Sequence, residues 1–196
     1  MAFGNSDFEQ LEMEVLHALE KNLPSYLAYH SVRHTQNVLA DAIEIATYEN
    51  VSSADLLKIK IAALLHDTGF METYQNHEEA SCIYTQKILS TYHISTEDIL
   101  HICEMIMATK IPQSPKDQCG KILADADLAY FGTDQFGEIS SLLFDELRHL
   151  NPSFDQPTWN QIQIKFLTNH QYFTNYCMTN KAATKQAHLQ SLLTEK

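Results

Sequence analysis

Several titratable side chains occur in this chain at positions where apolar ones would be expected. The run from Ile59 to Leu65 is hydrophobic except for Lys60, and it ends in the adjacent pair His66-Asp67 before Thr68-Gly69. An imidazole and a carboxylate at the end of a buried segment are costly unless solvated, paired or bound to a metal. A second group lies upstream in Tyr29-His30-Ser31-Val32-Arg33-His34. A third lies downstream in Ile122-Leu123-Ala124-Asp125-Ala126-Asp127-Leu128, again with carboxylates inside an apolar stretch. Imidazoles and carboxylates together form a donor set suited to a divalent metal ion. The plainer readings are a surface histidine for His30 or His34, a turn-capping Asp67 beside an exposed His66, and a solvated or N-capping role for Asp125 and Asp127. On a helix the last two diverge by about 200°, so one of them at most points at the same ion.

The elements that must carry these residues read as helices. Phe8, Leu11, Val15, Leu16 and Leu19 form one stripe behind a cap at Ser6, with Asp7 and Glu9 in the first turn. A second helix starts near Ser31, which puts His30 in its lead-in and His34 in its first turn. A third runs from Ser52-Ser53 to the His-Asp pair, and a fourth spans His77 to Tyr92. Ser95-Thr96-Glu97-Asp98 is a capping-box pattern opening a helix that stops before Ile111-Pro112. A short helix follows from Gln118 to Tyr130, ended by Gly132. Three more are expected over about 134–150, 156–170 and 171–193. No segment alternates as a strand does, so the fold class is all-α, a compact single domain of about eight or nine helices.

At 196 residues, 44% hydrophobic and 19% charged, the chain has a globular balance and enough length for one sizeable core. A formal net charge of −12 argues against general nucleic-acid binding, which needs clustered cations. It leaves room for a small phosphorylated substrate, since a metal ion supplies local positive charge. Cys82, Cys103, Cys119 and Cys177 show no CxxC spacing and read as free thiols. The first residues lack the basic and apolar regions of a secretory signal, and no apolar run approaches the ~20 residues of a membrane span. The expectation is a cytoplasmic protein with no membrane association. Trp159, Phe166, Tyr172, Phe173 and Tyr176 fit either a homodimer face or core, and helical spacing favours core.

The ordered pattern His34, His66-Asp67, Asp127 resembles the signature of the HD superfamily of metal-dependent phosphohydrolases. The resemblance runs from about Tyr29 to Gly132, on the three segments quoted above. Met105 to Lys110 and Phe144 to Leu150 are similar to a bacterial subgroup known only as predicted phosphohydrolases. The resemblance implies a single HD-type helical domain over residues 1–196, with its motif-bearing core at about 26–135. It implies His34, His66, Asp67 and Asp127 as ligands of a divalent ion (Mn, Fe, Co, Ni, Zn or Mg), with Asp125 the rival for the last place. Asp67 would also orient the attacking water. His30 stands where related phosphodiesterases keep a histidine that protonates the leaving oxygen, and is the candidate general acid.

Dinuclear members of that superfamily add two further histidines. Here His77 stands where the first falls, and Thr109 stands near the place of the second. The expectation is therefore one tight metal, with an optional second held partly by His77 or Glu78. Arg33 and Lys110 flank motifs and are candidate phosphate contacts, although surface cations look the same. The implied function is a phosphohydrolase that cleaves a phosphoester or phosphoanhydride of a nucleotide or another small phosphorylated substrate. The rivals are an HD-fold iron oxygenase, against which Thr109 argues, and a non-catalytic ligand-sensing domain, against which the intact ligand set argues.

Overall fold

The computed structural model describes residues 3–194; the four remaining positions of the expected 1–196 domain lie outside the described residues. Ten α-helices follow in order: α1 (Asn5–Asn22), α2 (Val32–Tyr48), α3 (Ser53–Leu65), α4 (His77–Leu89), α5 (Thr96–Thr109), α6 (Gln118–Asp127), α7 (Phe136–Leu150), α8 (Gln156–Asn169), α9 (Asn175–Asn180) and α10 (Ala182–Thr194). Short 3₁₀ turns lie at Thr68–Met71, Ser90–Tyr92 and Ala129–Gly132, and no strand occurs among the described residues. The fold is all-α, as expected, and none of its helices is long and apolar enough to cross a membrane.

The hub is α3. Ile59, Ile61, Ala62, Ala63, Leu64 and Leu65 are all buried, so the helix is apolar around its circumference and has partners on every side. Helices α2, α5 and α6 pack directly on it, α6 also packs against both α2 and α5, and α1 closes a further side with Phe8, Leu11, Val15 and Leu19. A second, smaller apolar cluster joins Leu128, Phe131, Phe136, Leu167 and Leu189, drawn from the last 3₁₀ turn and helices α7, α8 and α10.

Local chemistry sets most boundaries. Ser31, Ser52 and Ser95 each accept a bond from the backbone N–H three residues on, which starts α2, α3 and α5. The first helix begins earlier than the Ser6 cap predicts: Gly4 is its cap residue, and the Asp7 carboxylate accepts from the Gly4 N–H at 2.8 Å. The segment expected as one helix over 171–193 starts later, at Asn175, where Thr174 accepts from the Cys177 N–H after an extended entry, and it is divided at Lys181 into α9 and α10. The α-helix expected to reach Tyr130 ends at Asp127 and tightens into a 3₁₀ turn, as the helix expected to reach Tyr92 does after Leu89. The division of the last segment accounts for ten helices where eight or nine were expected.

Gly69 fixes the turn that follows the hub. Its N–H donates to Ser81 Oγ at 2.8 Å, and a Cβ added there would stand 1.9 Å from the His77 carbonyl oxygen and 2.7 Å from Ser81 N. Only a residue without a side chain lets α4 approach this closely. Gly69→Ala is expected to lower stability by about 1–3 kcal/mol, as overpacking does elsewhere, measured by denaturant unfolding. A native-like midpoint would show that α4 can move away at no cost.

Candidate metal centre

The apolar hub helix ends at Leu65, so His66 and Asp67 fall where helical hydrogen bonding has stopped but burial has not. The Thr68 hydroxyl donates to the Leu65 carbonyl at 2.8 Å and caps one of the carbonyls left open there. His66 Nδ1 lies 2.8 Å from the Ala63 carbonyl oxygen. A carbonyl only accepts, so Nδ1 carries the proton and the Nε2 lone pair faces the site. From α2, His34 brings its Nε2 to 3.4 Å from that of His66.

Two carboxylates meet these nitrogens. Asp127 Oδ1, from the last residue of α6, is 3.1 Å from His34 Nε2 and 3.6 Å from His66 Nε2. Asp67 Oδ2 is 3.3 Å from both nitrogens. Ligands about 2.2 Å from one ion and at right angles stand about 3.1 Å apart, so these separations suit a shared first-row metal. Asp67 Oδ2 is also buried and accepts no hydrogen bond, although two imidazoles stand beside it. An acceptor and two nitrogens aimed at one point fit a cation better than they fit each other.

The electrostatics agree. Burial pushes both carboxylates up, but the facing imidazoles outweigh it and hold Asp67 and Asp127 well below the usual carboxylate range. Burial pushes His66 down, and Asp67 and Asp127 outweigh that in turn, raising it well above an ordinary imidazole. The cluster therefore favours positive charge at its centre.

Asp125 has a different setting. Fully buried, it accepts from the backbone N–H groups of Phe173 and Thr174 and from the Thr174 hydroxyl, at 2.6–3.1 Å. It ties α6 to the start of α9.

Other expected residues distribute around the cluster. His77 Nε2 is 3.6 Å from Asp67 Oδ1, the oxygen facing away from the His34–His66 pair, and its Nδ1 is 3.6 Å from Glu78 Oε2. Burial lowers the proton affinity of His77 despite these carboxylates. Thr109, buried nearby, donates its hydroxyl to the Ile106 carbonyl. Lys110 is exposed and held by Glu79 and Asn76, and Arg33 is exposed and 3.6 Å from Glu138.

His30 lies in the lead-in to α2, its ring centroid 6.0 Å from those of His34 and His77. Its Nδ1 is 2.6 Å from Glu146 Oε1, and Glu146 Oε2 accepts from the N–H groups of Tyr29 and His30. Burial pushes the Glu146 carboxyl up, but the His30 bond outweighs it and keeps the group ionised, so His30 Nδ1 is the donor. Glu146, on α7, was not singled out by sequence reasoning, nor was Phe70. The Phe70 ring stacks on both imidazoles, with ring centroids 4.0 Å from His30 and 3.9 Å from His77, and helps fix their orientation. A signal for Phe70 existed in its place after Thr68-Gly69; none marked Glu146 among the acids of α7.

The HD domain family model matches residues 31–129. No curated protein matches the chain. Among solved structures, the chain is similar to the crystal structure of a predicted HD superfamily hydrolase from an uncultured Thermotogales bacterium, with 23% identity and a TM-score of 0.60, over 98% of this chain and 99% of that one. At that identity the likeness is one of fold.

The two aspartates of α6 are expected to separate by experiment. Asp127→Ala should lose bound divalent metal, measured by elemental analysis after dialysis, with a small change in melting temperature. Asp125→Ala should retain metal but lose about 1–3 kcal/mol of stability or more, because it strands buried N–H donors. The reverse pattern would make Asp125 the ligand.

Proposed function

The chain belongs to the HD domain family, and on that premise we propose that it is a metal-dependent phosphohydrolase acting on a small phosphorylated substrate. The observation that carries this reading is the meeting of His34, His66 and Asp127 in one cluster of potential ligand atoms, with Asp67 Oδ2 buried, unbonded and 3.3 Å from both imidazole nitrogens. These four residues would hold the ion. When bound, a divalent ion supplies Lewis acidity, which makes water more acidic and offsets phosphoryl charge. Asp67 Oδ1, with His77 and Glu78, forms an adjoining donor group that would take a weaker second ion.

The chain's own residues supply the remaining functions. Asp67 is fixed at the end of the hub helix and orients water at the cluster. His30 receives its orientation from Glu146 and Phe70, which leaves its Nε2 as the proton carrier for a departing ester oxygen. Hydrolysis then adds the elements of water across the ester P–O bond, giving an alcohol and a phosphate. Glu146 acts through His30 and is a positioning residue. Nucleotides are one class within this reading, and a cytoplasmic site of action accords with the free cysteines.

Phosphate release should appear when nucleoside mono-, di- and triphosphates, cyclic nucleotides and simple monoesters are screened with Mn, Fe, Co, Ni, Zn and Mg. O₂ uptake with iron and no phosphate release would instead establish an oxygenase. His30→Asn should retain metal and lower turnover of an alkyl ester by about 10²- to 10⁴-fold, the usual contribution of a general acid. The loss should shrink with p-nitrophenyl phosphate, whose leaving group needs no proton; an equal loss on both would remove His30 as the acid. Glu146→Gln should shift the pH profile of kcat on the alkyl ester while leaving metal content unchanged. An unmoved profile would reduce Glu146 to a structural tie between α7 and the lead-in to α2.

A further inference from the structure

A cavity of about 280 Å³ opens from the cluster into the space between α7 and α8. At its mouth stand His30, Asp67, His77 and Asp127. Beyond them the wall turns apolar, with Phe131, Leu143, Leu147, Trp159, Ile162 and Phe166 facing the space. Trp159 and Phe166 thus line a cavity instead of simply filling core. No lysine or arginine is among the residues that line it.

One polar pair interrupts the apolar wall. Ser140 of α7 and Gln163 of α8 are both buried, at 6% and 7% exposure, and the Ser140 hydroxyl lies 2.5 Å from Gln163 Oε1. Gln163 makes no other hydrogen bond among the described residues. Ser140 satisfies the amide oxygen, and the Gln163 side chain lines the cavity, where its amide N–H donors are open to a ligand.

We propose that this cavity takes the alcohol part of the substrate, and that the substrate is a phosphate monoester of an uncharged, largely apolar alcohol bearing one hydrogen-bonding group that meets Gln163. The inference rests on the phosphohydrolase reading for the phosphate end and on the cavity alone for the alcohol end. A nucleoside di- or triphosphate carries further anionic phosphates that would face a wall without cations, and a ribose would set its hydroxyls against hydrocarbon. At roughly 30 Å³ for a water-sized group, the space holds about nine non-hydrogen atoms. That matches a short branched chain or a single aromatic ring with a linker.

Trp159 is the only tryptophan of the chain and lies in the cavity wall, so its fluorescence reports occupancy without turnover. Titration with alkylphosphonates of two to eight carbons is expected to change Trp159 emission, with affinity rising about fourfold per methylene until the cavity is full. AMP and ATP should bind more weakly than the longest alkylphosphonate that fits. In the phosphate-release assay, kcat/KM for the matching monoesters should rise in parallel. Leu143→Phe, which narrows the space without adding a second tryptophan, should collapse the ratio of long-chain to short-chain affinity. Gln163→Leu should cut the preference for a chain ending in a carbonyl over one ending in a methyl by about tenfold.

Affinity that is flat in chain length, or AMP binding more tightly than every alkylphosphonate, overturns the proposal while leaving the phosphohydrolase reading intact. If no ester releases phosphate with any metal, the phosphohydrolase reading fails. A chain-length-dependent Trp159 response would then still assign the cavity to an apolar ligand. Should Leu143→Phe fail to fold, Ile162→Phe supplies the same narrowing from the opposite helix, and an unchanged long-to-short ratio in a folded variant also overturns the proposal.

Discussion

Ionisable groups are tolerated in the interior of a protein only when their charges answer one another, and that constraint organises this molecule. His66 is fully buried, Asp67 and His34 nearly so, and Asp127 closes the ring from α6. Each would be costly alone. Together they hold two carboxylates below their usual range and an imidazole above its own, a balance that a cation at their centre would complete. The elements that bring them together are also those that pack most closely. Helices α2, α3 and α6 share the hub, so misplacing any one of them disturbs both the core and the charge balance.

Two aspartates two residues apart show how a helix end divides labour. Asp127 is the final residue of α6 and faces the imidazoles, while Asp125 faces away and binds the start of α9. The carboxylate inside the helix therefore builds the fold, and the one at its terminus is free to serve the site. A comparable economy links the two outlying histidines. Phe70, in the turn fixed by Gly69, stacks against both His30 and His77. A single ring sets the orientation of a candidate proton donor and of a candidate second-site ligand.

The C-terminal helices contribute a different kind of chemistry. The smaller cluster built from α7, α8 and α10 does not close fully against the hub, and the space between them is continuous with the charged centre. Glu146 from the same α7 reaches back to His30. One helix thus supplies both a cavity wall and the carboxylate that orients His30.

The sequence by itself determined the fold class, most helix starts and the residues that form the charged centre. Those signals are local: hydrophobic period, Ser caps, and carboxylates or imidazoles where apolar residues dominate. It also limited the pair Asp125 and Asp127 to one inward-facing member, because helical geometry is fixed by spacing. Which of them faces inward was decided by tertiary structure, since that depends on where α2 and α9 lie relative to α6. The late start of the final segment, at Asn175, likewise turned on a Thr174 cap held in place by Asp125, 49 residues away. Glu146 and the Ser140–Gln163 pair were illegible for the same reason. An acid or amide on an amphipathic helix looks solvated in sequence, and only the packing of α7 against the lead-in to α2, and across the cavity from α8, buried these groups and gave them partners.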